Sequence, residues 1–69
     1  MNDELKFFIY LLECYASCKG RLTADILHEW DVHGITDYVY NNYWGYHTES
    51  LDNAFMDIDS MLQRGVPAW

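Results

Sequence analysis

Sixty-nine residues carrying eleven Asp or Glu against four Lys or Arg, net charge −7, make one domain at most and a surface that repels phosphate backbones, which excludes direct nucleic-acid binding. Hydrophobic residues at 51% and aromatic residues at 17% separate the chain from a disordered acidic segment, although so short a domain buries only about 60% of its unfolded surface and keeps a thin core. The longest apolar run, Phe7 to Leu12, falls far short of the roughly 20 residues of a membrane-spanning helix.

In chain order the sequence predicts an all-α domain over 1–69, a small bundle of three to four short helices near 3–18, 24–33, 36–46 and 50–64. Asn2 or Asp3 caps the first. Leu5, Phe8, Ile9, Leu12 and Ala16 form its inner face, and Phe7, Leu11, Cys14 and Cys18 an adjacent one. A helix apolar around so much of its circumference is usually surrounded, its last side covered by a second copy or a partner. Gly20 ends it. Thr23 is the expected cap of the second helix, with Ile26, Leu27 and Trp30 inward and Gly34 as the stop.

Thr36 is the expected cap of a third helix, on which Ile35, Tyr38, Val39, Tyr43 and Tyr46 fall close to one face, with Ile35 placed to pack on Tyr40. A rival local reading makes Tyr38-Val39-Tyr40 and Tyr43-Trp44 two strands joined through Asn41-Asn42. The helix is preferred because an isolated hairpin is marginal in water and no third strand is legible. Thr48 or Ser50 then caps a last helix with Leu51, Phe55, Ile58 and Leu62 at helical spacing and Asp52, Asp57 and Asp59 on the opposite, solvated side; Arg64-Gly65 closes it.

The chemistry-bearing residues do not form a reactive constellation. Cys14 and Cys18, four apart on a helix, suit a disulfide poorly and read as reduced core thiols. With His28, His33 and His47 they lack the paired spacing of a zinc site, and a Cys14 nucleophile served by His28 or His47 lacks any supporting motif. The aspartates of the last helix lack the ladder of a calcium loop. No catalytic group, metal or cofactor is therefore assigned. The acidic start Met1-Asn2-Asp3-Glu4 is unlike a secretory signal, so cytoplasmic residence is expected.

From Ile35 to Leu62 the order of residues resembles a family of small uncharacterised bacterial proteins. The matching positions are Phe7, Phe8, Ile9 and Glu13, then Gly34-Ile35-Thr36-Asp37-Tyr38, Tyr43, His47-Thr48, and Asp57-Ile58-Asp59 with Leu62. Trp44-Gly45-Tyr46 departs from that pattern. Members of the family are often encoded beside proteins similar to ADP-ribosyltransferases, an arrangement like a toxin with its antidote, which implies a protein partner.

The reading that joins these observations is a non-enzymatic, acidic protein-interaction module, antitoxin-like or an accessory partner of a separately encoded enzyme. Its expected contact surface is Tyr40, Tyr43, Trp44, Tyr46 and His47, with Asp52, Asp57 and Asp59 attracting a basic partner. His47, in a joint between helices, also has a structural use, bonding backbone groups left open at helix ends. Of the three tryptophans, Trp44 or Trp69 is expected outside the core. The alternative is a small homodimeric structural protein whose first and third helices complete a shared core.

Overall fold

A computed structural model describes residues 2–68, and among them there are five helices and no strand: α1 (Asp3–Lys19), α2 (Thr23–Val32), α3 (Thr36–Asn41), α4 (Tyr43–Tyr46) and α5 (Leu51–Arg64). The all-α bundle is as expected. Asn2 caps α1, its side chain accepting from the Leu5 amide at 2.7 Å, and Ser50 caps α5 through the Asn53 amide. Gly20 and Gly65 end these two helices at φ 67° and 77°, a left-handed turn that glycine adopts without steric cost.

The other two expected caps are not caps. Leu22 and Ile35 occupy the cap positions of α2 and α3, and neither donates nor accepts through its side chain. Thr23 and Thr36 are the first helical residues, and the Thr36 hydroxyl instead bonds Asp31, tying the start of α3 to the end of α2.

The stretch expected as one helix over 36–46 is two. The Asn42 amide is shared between the carbonyls of Tyr38 at 3.1 Å and Val39 at 3.4 Å, and Asn42 leaves the helical region at ψ 26°. Two adjacent asparagines, weak helix formers whose side chains compete for backbone groups, followed by Gly45, make this the point where the helix gives way. The hairpin's turn residues thus do mark a break, but between helices.

Helix α1 packs against α2, α3 and α4, and α4 against α5. Its inner face is Phe8, Leu11, Leu12, Tyr15 and Ala16, rotated from the expected one, which leaves Ile9 at the surface. Leu11, Ile26, Trp30 and Ile58 are the largest fully buried side chains. Trp30 meets Phe8 and Tyr15 edge-on at 6.0 and 5.5 Å between centroids, while its Nε1–H finds no acceptor among the described residues. Trp30→Ala is expected to cost roughly 3–5 kcal/mol. At about 0.05–0.15 kcal/mol per residue that is much of the stability available to the domain, so circular dichroism of the variant should show a largely unfolded chain at 37 °C.

Cys14 is half-buried and Cys18 exposed, so the second is a surface thiol, not the core thiol expected. Trp69 lies outside the described residues.

Candidate functional site

Two features meet at α4, on opposite sides of its single turn. Tyr43 and His47 share one side, four residues apart, with Trp44 beside them. Their rings form one sheet of contacts: Tyr43 stacks on His47 at 4.1 Å with the planes 4° apart, and Trp44 meets both edge-on at 5.4 and 5.1 Å. From α1, Phe7 reaches Tyr43 at 5.7 Å and His47 at 6.3 Å, and Tyr10 extends the row at 6.5 Å from Phe7. Trp44 is 73% exposed and Tyr10 55%; Phe7, Tyr43 and His47 are half-buried. Five rings from two helices therefore present a continuous aromatic surface with one fully projecting indole.

His47 is fixed within it. Its Nδ1 lies 2.6 Å from the Tyr43 carbonyl, which can only accept, so the proton of the neutral ring sits on Nδ1 and Nε2 is left as an acceptor. Thr48 follows with its hydroxyl on the carbonyls of Trp44 and Gly45 at 3.0 and 3.1 Å. One nitrogen of His47 thus closes the end of α4 while its ring stacks within the aromatic surface.

On the other side, Asn42, Gly45, Tyr46 and Glu49, with Tyr38 and Asp57, line a cavity of about 230 Å³. Asp57, expected on the solvated side of α5, is only 4% exposed, and Tyr46, expected at the surface, is buried. They face each other. Asp57 Oδ2 accepts from the Tyr46 hydroxyl at 2.5 Å and more distantly from Tyr38 at 3.5 Å, and Oδ1 accepts from the Ala68 amide at 2.9 Å. The physical reason is register: Ala54, Asp57, Ile58 and Met61 form the buried stripe of α5, with Leu51, Phe55 and Leu62 at its margin, so the carboxylate enters the interior where three neutral donors satisfy it.

Asp59 is half-buried and serves a parallel tie to α1. It accepts from the Tyr15 hydroxyl at 2.5 Å and from Lys19 at 2.9 Å. Of the three aspartates expected to attract a partner, Asp52 alone is exposed. Tyr40 packs half-buried against the core, its ring 5.6 Å from Phe8. The aromatic surface is thus Tyr43, Trp44 and His47 as read from the sequence, without Tyr46 and with Tyr40 as core margin.

Phe7 and Tyr10 join this surface although the sequence places Phe7 on an apolar face and gives Tyr10 no role. The signal that could have found them is spacing: Asp3, Phe7 and Tyr10 fall at i, i+4 and i+7, an acidic and aromatic face distinct from the core stripe.

The two buried phenols titrate above the ordinary tyrosine range. Burial is the larger cause for Tyr46 and Tyr15 alike, followed by the hydrogen bonds to Asp57 and Asp59, whose negative charge disfavours a phenolate. The folded form thus holds both as neutral donors. Their contribution to stability is complete below pH about 10, where the unfolded chain also keeps its tyrosines protonated, and is lost as pH rises above that value toward the folded ones. Melting temperatures measured from about pH 8 to about pH 11 are expected to fall on the alkaline side, and the fall to be shallower in a Tyr15→Phe, Tyr46→Phe variant.

His28 and His33 line an open groove along α2 with Arg21 and Glu29, and no group of three or more His, Cys, Asp or Glu among the described residues is placed to hold a metal. No helix among them is long and apolar enough to cross a membrane.

A family model described as "Protein of unknown function (DUF3791)" matches residues 6–64. No curated protein and no solved structure matches the chain.

Proposed function

The chain belongs to the DUF3791 family, and from the surface it presents we propose that it is a non-enzymatic protein-interaction module that docks a basic partner through Phe7, Tyr10, Tyr43, Trp44 and His47. The observation that carries this reading is Trp44, a large ring 73% exposed at the edge of a five-ring surface on a domain too small to waste apolar area. Exposed Asp3 on the same face of α1 and the excess of seven negative charges supply steering and choose a partner of opposite sign. Lys19 pairs with Asp59 and Arg21 with Glu29, one charge cancelling one in each, so the excess of negative charge is carried by the remaining carboxylates.

The resemblance noted in the sequence supports, as that partner, a separately encoded, ADP-ribosyltransferase-like bacterial enzyme, with this chain as its antitoxin-like or accessory subunit in the cytoplasm. A basic, nucleotide-handling surface offers the charge and the apolar rim that the rings and carboxylates complement.

A homodimer is the competing reading, favoured by Ile9 and Tyr10, 36% and 55% exposed on α1. Light scattering combined with acrylamide quenching separates the two. A monomer whose tryptophan emission is substantially quenched supports docking of a different protein; a stable dimer with its tryptophans shielded supports self-association and contradicts the docking proposal.

A further inference from the structure

The cavity on the far side of α4 has a composition that the aromatic surface does not use. Asp57 forms its floor and Glu49 its exposed rim, with Tyr38, Asn42, Gly45 and Tyr46 as walls. Every donor that reaches Asp57 among the described residues is neutral, two hydroxyls and one amide, and no salt bridge among them reaches it. The carboxylate is 4% exposed, and its hydrogen bonds are satisfied while no cation among the described residues balances its charge. The volume of about 230 Å³ lies below the roughly 300–1,000 Å³ of sites for drug-sized ligands and cofactors, but it accommodates the end of one side chain.

We propose that this cavity receives the guanidinium of an arginine side chain of the docked partner, held between the carboxylates of Asp57 and Glu49. Arginine fits better than lysine because its planar fork carries several donors to the two carboxylates and the Asn42 amide oxygen while lying against tyrosine surface. The Tyr38 hydroxyl, 3.5 Å from Asp57, is the longest tie to that carboxylate and the one a guanidinium N–H most readily replaces. The inference deepens the docking proposal and rests on it for the source of the arginine. The cavity chemistry can be tested by itself.

The test is a titration of the full, isotope-labelled chain with N-acetyl-L-arginine amide, followed by amide chemical shifts, beside the same titration with the neutral isostere N-acetyl-L-citrulline amide. The arginine probe is expected to give saturable shifts confined to Asn42, Gly45, Tyr46, Glu49 and their neighbours, and the citrulline probe none. Glu49→Gln, at an exposed site that leaves the fold intact, is expected to weaken binding roughly threefold to tenfold, and Val32→Ser, at an exposed position on α2, to leave it unchanged. Equal response to citrulline, shifts that never saturate, or indifference to Glu49→Gln overturns the guanidinium site. Free L-arginine binding more tightly than the blocked amide overturns the assignment to a partner's side chain, since it makes the free amino acid the ligand. Because the probe needs no partner, loss of the docking proposal leaves this result standing, and failure of the probe leaves the Trp44 contact to be judged separately.

Discussion

Replacing Asp57 by alanine is expected to destabilise the domain by roughly 2–5 kcal/mol, the cost of stranding the buried Tyr46 hydroxyl and the Ala68 amide without an acceptor. For 69 residues at about 0.05–0.15 kcal/mol each, that is a large share of the whole. The effect is specific to the pair, so in a Tyr46→Phe background, where the donor is already gone, the same change is expected to cost roughly 1–3 kcal/mol less. Urea unfolding of the four members of this cycle measures the coupling. Additive effects would mean that Asp57 serves the fold through something other than Tyr46. An Asp57→Ala variant as stable as the parent would show that the carboxylate is not buried as described.

Trp44→Ser is expected to do the opposite, leaving stability within about 0.5 kcal/mol while removing at least about 2 kcal/mol of partner binding, a factor of about 30 in affinity. The ring is 73% exposed and its contacts within the chain are edge-on to Tyr43 and His47, so the fold loses little by its removal. An interface centred on those rings loses its projecting anchor. Thermal melting and calorimetric titration of the same preparation read the two quantities; a variant that binds as the parent does removes Trp44 from the contact.

These two residues show how much was legible in the sequence. The helices and their glycine stops followed from periodicity and turn chemistry, as with Asn2, Gly20, Ser50 and Gly65, because these signals act within a few residues. Trp44 and its neighbours were legible as surplus aromatic residues because a thin core cannot bury them all. Asp57 was not, since aspartate is almost never buried unless paired, and its donors lie eleven residues away on either side, in Tyr46 and Ala68. The same holds for Asp59 and Tyr15, 44 positions apart. Asn41-Asn42 signals a discontinuity that fits a turn between strands as well as the observed break between helices, because local propensity does not say which element it interrupts. The cavity exists only where α3, α4 and α5 converge, and no single segment carries its signature.

The most direct test of the account is capture of the natural partner by the tagged full chain and by Trp44→Ser from the native host, followed by calorimetry of the purified pair at low and high salt. A basic protein is expected to be bound stoichiometrically by the parent, lost with Trp44→Ser, and held less tightly as salt is raised. A protein retained equally by both chains, or an acidic one whose affinity is indifferent to salt, would contradict it.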